Sequence, residues 1–404
     1  MLQDRIYHGF TRRVVSLLAT GTMNAVKIGC SNAEDPTQVA AELAEQIGQP
    51  ESELVLFFSS ARYEPDALAR AMDHRFPGIT AGCTTAGEIG PAGYQRFSTV
   101  AVSLGKGPIR VHRYPLESVS TLDPGTIAEH RRQFDRTRAY PGASLSDDCL
   151  GLLLVDGLSL RDEQVVAAWY GQFQPMPIVG GSAGDDFAFR ETRIFTEGRA
   201  ISNGSVFLVL EMGGVPFQTF HLQDFAPVSD HLVITAADSE RRMVQEIDGE
   251  PAQDVYARMV GVPIEQMTPE HFASHSFLVQ VGGQEYIRSV RSVGPERSLI
   301  LHSAIDEGVV IRLGRSDDTL VSLAQFLRVG SERVAQTSLA LCFDCIHRQL
   351  ELIRQGYLER AGKILTQVPS VGFSTYGEVA DSLHVNQTMT GVLFNYRDRS
   401  KEPC

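Results

Sequence analysis

A chain of 404 residues can hold two or three domains, and 43% hydrophobic with 21% charged residues is an ordinary globular composition. Thirty-six Lys and Arg against 49 Asp and Glu leave a formal charge of −13 with no basic run to offset it, which disfavours nucleic acid as a partner. No stretch approaches the roughly 18 apolar residues of a membrane span, and Met1 to Ser16 carries Asp4, Arg5, Arg12 and Arg13 where a secretory signal would be apolar, so the expected location is the cytoplasm, without membrane contact. The six cysteines, Cys30, Cys83, Cys149, Cys342, Cys345 and Cys404, read as reduced thiols rather than a disulfide framework.

Taken in chain order, three stretches repeat one plan: an apolar strand, a helix, then a proline leading into a glycine-rich turn that ends in an acid. The first has a strand at Glu53 to Phe58, a helix over Pro65 to His74 and the turn Gly82-Cys-Thr-Thr-Ala-Gly-Glu88. The second has Cys149 to Val155, a helix over Arg161 to Gln172 and Gly180-Gly-Ser-Ala-Gly-Asp-Asp186. The third has Ser338 to Phe343, a long helix over Ile346 to Leu365 and Gly372-Phe-Ser-Thr-Tyr-Gly-Glu378. Each turn precedes another β-rich run: Ser98 to Leu104, Ser205 to Glu211 and Thr388 to Phe394. Continuous apolar strands joined by helices are the sequence form of β-α-β units buried on both faces, which predicts an α/β fold of repeated modules.

Between the second and third modules the texture changes. Phe217 to Phe225 reads as a strand. Asp238 to Val260 reads as a turn and an amphipathic helix with Pro251 in its first turn, and Ser276 to Leu313 as a small antiparallel sheet. The expected division is 33–220, holding two modules, and 221–395, holding one module and its insertion.

Several constellations invite a chemical reading. Gly180-Gly-Ser182-Ala-Gly184 has the spacing of a hydrolase nucleophile elbow, but the residues after it read as strand rather than helix, so a structural turn is the expectation. Cys342 and Cys345 form a lone Cys-x-x-Cys, read as two packed thiols before a redox pair. His271 and His275 are spaced as helical zinc ligands without a third ligand in view, and are expected to be exposed. Glu88, Asp186 and Glu378 end their turns at matching places, and one shared role is expected: each carboxylate accepting backbone N–H groups of its own loop. No catalytic residues are assigned. His384, just after the third turn, and His347, opening the long helix, could each offer a neutral imidazole to a metal or haem iron.

The turns, with Gly249-Glu-Pro-Ala-Gln-Asp-Val-Tyr-Ala-Arg258, Phe343-Asp-Cys-Ile-His-Arg348 and His384-Val-Asn-Gln-Thr388, make a set that resembles the FIST proteins from about Ala33 to Phe394. That resemblance implies paired N- and C-terminal FIST domains and a signal-sensing, non-enzymatic role. Bacterial stand-alone members look like nitric-oxide sensors that bind haem b and control a sensor histidine kinase in two-component and cyclic-di-GMP signalling linked to biofilm. The resemblance therefore implies haem b as cofactor, nitric oxide as ligand and a histidine kinase as partner. The iron is assigned by position to His384 and then His347. The glycine turns are expected to line a polar ligand pocket with Gly82, Thr84, Thr85, Glu88, Gly181, Ser182, Asp186, Ser374, Thr375, Tyr376, Glu378 and Asn386. The alternative reading is a FIST sensor of an amino-acid-like ligand without haem, and behind it a thiol or serine enzyme.

Overall fold

The computed structural model describes residues 26–395 apart from 282, 318 and 334–336; Met1 to Ser16 and Cys404 lie outside the described residues. Module 1 comprises β1 (Val26–Ser31), α1 (Pro36–Ile47), β2 (Ser52–Ser60), α2 (Pro65–Arg75), β3 (Ile79–Thr85), a hairpin of β4 (Glu88–Gly90) and β5 (Gly93–Gln95), and β6 (Thr99–Gly105). Module 2 repeats it with β7 (Arg110–Leu116), α3 (Pro124–Thr137), α4 (Leu145–Asp148), β8 (Cys149–Val155), α5 (Asp162–Phe173), β9 (Ile178–Ser182), a hairpin of β10 (Ile194–Thr196) and β11 (Arg199–Ile201), and β12 (Ser205–Glu211). Helices α1, α2 and α3 each start on an acid followed by proline. The side chains of Asp35, Glu64 and Asp123 accept first-turn backbone N–H groups, and the proline gives up an N–H that has no partner there.

Module 3 opens with β13 (Phe217–Gln223) and is then interrupted. The insertion holds β14 (Phe225–Pro227), β15 (Leu232–Asp238), β16 (Met243–Ile247), β17 (Glu250–Pro251), α6 (Ala252–Val260), α7 (Pro269–Ser274), β18 (His275–Val281), β19 (Gln284–Arg288), β20 (Val290–Val293), β21 (Leu299–Leu301) and β22 (Val310–Ser316). The module resumes with α8 (Thr319–Arg333), β23 (Leu339–Cys345), α9 (Ile346–Arg354), α10 (Leu358–Leu365), β24 (Ser370–Thr375), a hairpin of β25 (Glu378–Ala380) and β26 (Leu383–Val385), and β27 (Thr388–Phe394). The long helix expected over Ile346 to Leu365 is two helices. Gly356 takes the left-handed φ of 71° that ends α9, and Leu358 starts afresh.

In every module the central pair is parallel (β2 with β3, β8 with β9, β23 with β24) and the closing strand runs antiparallel beside it. The hairpins do not stay in their own sheets. Module 1's β4 pairs with β24 of module 3, module 2's β10 with β3 of module 1, and module 3's β25 with β9 of module 2, closing a cycle of three.

Alternation along the strands explains their unbroken apolar character. Leu54, Leu56 and Phe58 of β2, Leu150, Leu152 and Leu154 of β8, and Leu339, Leu341 and Phe343 of β23 point into one core shared by the three sheets. The intervening residues (Val55 and Phe57, Leu153 and Val155, Ala340 and Cys342) face the helices outside. The motif's first glycine has one reason in each copy. A Cβ on Gly82, Gly180 or Gly372 would lie 1.9, 1.9 or 1.7 Å from the carbonyl oxygen of Phe57, Leu153 or Cys342 on the adjacent parallel strand.

The insertion is larger than the small sheet expected over Ser276 to Leu313. Its nine strands run in the order β19-β18-β22-β15-β16-β21-β20, with β14 and β17 added. Because β19 and β20 sit at opposite ends of that order and are joined through Ser289 alone, the sheet curls back on itself. Inside lies a separate apolar core, including Ile234, Val255, Tyr256, Phe277 and Ile311, whose members all fall between residues 232 and 313.

Candidate functional site

The three glycine turns meet, and their backbones close on one another. Ala86 N donates to Ser374 O and Ser374 N to Gly87 O; Ser182 N donates to Gly377 O and Tyr376 N to Ser182 O; Gly184 N donates to Thr84 O and Asp186 N to Thr85 O, all at 2.7 to 3.1 Å. The residues expected to line a ligand pocket thus fill a sealed junction. Gly82, Thr84, Thr85, Glu88, Gly181, Ser182, Ser374, Thr375, Glu378 and Asn386 are buried, and Asp186 and Tyr376 are half-buried. Parallel strand ends that would bracket a ligand in an open sheet are satisfied here by one another.

Two of the three acids share a task. Glu88 accepts the Thr85 hydroxyl at 2.5 Å and both the N–H (3.1 Å) and hydroxyl (2.6 Å) of Ser98. Glu378 does the same with Thr375 at 2.5 Å and with Thr388 at 3.2 and 2.7 Å. Each ties its own turn to the start of the closing strand ten residues on. Asp186 departs from the shared role: it reaches across to module 1, accepting the Ser60 hydroxyl (2.6 Å) and Ala61 N–H (2.9 Å). In module 2 the anchor is Asp156, which accepts Asn203 N–H and the Thr192 hydroxyl. Burial pushes Glu88 up to about 7 and Glu378 up to about 8, against the hydrogen bonds that would lower them.

His384 lies within this packing, 4% exposed, on β26, the outer strand of the hairpin whose β25 pairs with module 2. Its Nε2 is 3.4 Å from Ser182 Oγ, and its Nδ1 is 3.9 Å from Glu163 Oε1 and makes no hydrogen bond. A Cβ on Gly377 would come within 2.0 Å of the ring, so only glycine lets the histidine sit there. Ser182 donates to Asp162 at 2.5 Å, is 1% exposed, and the N–H of the residue after it is spent on Val155 O. Cys342 and Cys345, three apart on β23, point to opposite faces, and burial raises both thiols. His271 is half-buried and caps α7 through Thr268, while half-buried His275 begins β18.

His347 is placed differently. It lines a cleft of about 400 Å³ between the insertion, which supplies Phe272, Val290, Arg291 and His302, and the body, which supplies His347, Leu350, Arg354 and Gln387. The His302 and His347 rings meet edge to face with centroids 4.4 Å apart. Burial lowers His347 to about 4, and burial with the neighbouring His347 and arginine charges lowers His302 to about 2, so both imidazoles are neutral at physiological pH. Of the two histidines singled out by position, the swapped hairpin buries His384 while α9 carries His347 into the cleft.

A FIST N domain matches residues 53–250 and a FIST C domain residues 252–381. The chain is a FIST-domain protein. Its FIST N match begins in β2, covers the rest of module 1 and all of module 2, and ends inside the insertion; its FIST C match begins at the first residue of α6 and covers most of module 3. The FIST chain is similar to an uncharacterized protein of Methanocaldococcus jannaschii, with 22% identity over 414 residues covering 91% of this chain and 78% of the relative. FIST domains are sensory, and here they enclose no cluster of three or more metal-ligating side chains among the described residues. No described helix is long and apolar enough to cross a membrane. His302 and Arg291 of the FIST cleft had no signal in the sequence, since each stands outside every motif, while Gln387 stood within His384-Val-Asn-Gln-Thr388 with nothing to place it beside His347.

Proposed function

We propose that this FIST protein is a haem-dependent nitric-oxide sensor acting on a partner histidine kinase in the cytoplasm, with the cleft between insertion and α9 as its ligand site. The observation that carries the reading is a neutral, half-buried imidazole, His347, facing a cleft with apolar walls at the seam of two separately cored parts. The lining is compatible with haem b: His347 would offer the iron a neutral imidazole, Phe272, Val290 and Leu350 would give the macrocycle apolar contact, and Arg291 and Arg354 could pair with its carboxylates. His384 does not fit, being enclosed by Ser182, Asp162 and Gly377. The bound group would supply the iron that takes up nitric oxide, while the chain's own residues set access and polarity. The expected result is a Soret band in protein expressed with haem precursor that shifts with nitric oxide, is lost in His347→Ala and is kept in His384→Ala. Bands kept in His347→Ala overturn the ligand assignment. A colourless protein that also takes up no added haem overturns the haem reading and leaves an amino-acid-like ligand, for which Arg291, Arg354, Glu270 and Glu351 offer both signs of charge around the cleft.

A further inference from the structure

Most of the side-chain hydrogen bonds between the insertion and the rest of the chain converge on one short segment. Gln387 projects from the body into the floor of the cleft and clasps three places on the insertion. Its Oε1 accepts the hydroxyls of Ser276 and, at 2.7 Å, Ser289, and its Nε2 donates to Ala273 O at 2.6 Å. Asn386 beside it accepts the Ser303 hydroxyl, and His384 O accepts from Arg288 at 3.4 Å. On the other flank Glu163 accepts Ala304 N–H at 3.0 Å and pairs with Arg242 at 2.9 Å. Gln387 is 5% exposed, and its left-handed φ of 54° is shared by Phe97 and Asn203 at the matching places of modules 1 and 2, so the backbone there belongs to the module while the side chain is turned to the seam.

The insertion's chain leaves and returns at one point. Asp224 follows β13, Asp317 follows β22, and Asp317 N donates to Asp224 O at 2.6 Å. Arg348, the residue after His347, fixes this crossing to the body: it pairs with Asp224 and, at 2.8 Å, with Asp344, which also accepts the Tyr94 hydroxyl at 2.6 Å. A part with its own core, two adjacent chain crossings and a polar seam is built to move as one piece.

We propose that residues 225–316 form a lid on the cleft, hinged at the Asp224–Asp317 crossing and latched by Gln387. The inference rests on the cleft being the ligand site. A ligand that touches His347 on the body and His302 and Arg291 on the lid can hold both only when the lid is shut, so its binding favours the latched arrangement, and by reciprocity the latch favours binding.

The test is amide hydrogen exchange on the full chain, with and without haemin. Gln387→Ala should speed exchange at 273–276 and 287–290 at least tenfold, leave 150–155 and 339–345 unchanged, and weaken haemin binding about tenfold. Gln387→Glu keeps the two serine contacts and loses the donor to Ala273, so its seam should exchange fast at pH 7.5 and slow towards wild type when the carboxyl is protonated near pH 5. Haemin should slow the wild-type seam. An unchanged seam in both variants, exchange rising equally in the two core strands, or haemin bound without slowing the seam overturns the proposal. Faster exchange at the variant seam in a chain that binds no haemin overturns the haem reading and keeps the latch.

Discussion

Single carboxyls give this protein an unusual dependence on pH. Glu88 and Glu378 are fully buried, and their pKa values rise from an ordinary 4.5 to about 7 and about 8. A folded-state pKa above the unfolded value means the fold binds the proton more tightly. The stabilisation is complete below about pH 4.5 and is lost as pH rises through 7 and 8. At roughly 1.4 kcal/mol per unit, each carboxyl accounts for several kcal/mol. Thermal unfolding followed from pH 6.5 to pH 9 should show a falling midpoint, and Glu378→Gln, which stays neutral throughout, should flatten the larger part of that fall. An equally steep profile in the variant would mean that Glu378 does not titrate in this range. His302 and His347 act with the opposite sign, since their lowered pKa values make the fold lose stability as pH falls below about 6.5.

Elements were the most legible level of the sequence. The strands Cys149–Val155, Ser205–Glu211 and Thr388–Phe394 lie where their apolar runs place them, because a strand buried on both faces must be apolar at every position. The helix breaks at Gly356 in spite of an amphipathic pattern running through it, because a left-handed residue ends the hydrogen-bond ladder whatever flanks it. Strand pairing within the modules sets a demand that one substitution tests. Gly372→Ala would put a methyl 1.7 Å from Cys342 O and force β24 away from β23. A loss of about 3 kcal/mol or more in the urea unfolding free energy is expected, and a loss under 1 kcal/mol would show that the sheet yields there.

At the scale of the whole molecule, the exchanged hairpins make the three modules interdependent. Residues 26–215 alone would leave β9 without β25, β4 without β24, and the shared core without the wall formed by Leu339, Leu341 and Phe343. Each half, 26–215 and 216–395, is expected to aggregate or unfold alone, and the two expressed together to form a 1:1 complex with the circular dichroism of the full chain. A monomeric, cooperatively folding 26–215 fragment would show that the exchanged hairpins are dispensable. The proposed site was legible only in part for the same reason. His347 was singled out from its place at a helix start, but the preference for His384 assumed that a residue after a glycine turn faces a cleft. It faces a neighbouring module instead, because its hairpin crosses over.

The amino-acid order alone determined the modules, their number and their α/β character, because apolar periodicity and the close approach required at Gly82, Gly180 and Gly372 are local demands repeated in each copy. Tertiary structure alone decided which module each hairpin joins, that the turns seal one another, and that His302, His347 and Gln387 share a cleft. Pairings between groups far apart in the chain are chosen by what is left unsatisfied once the sheets have packed, and that information belongs to no single segment.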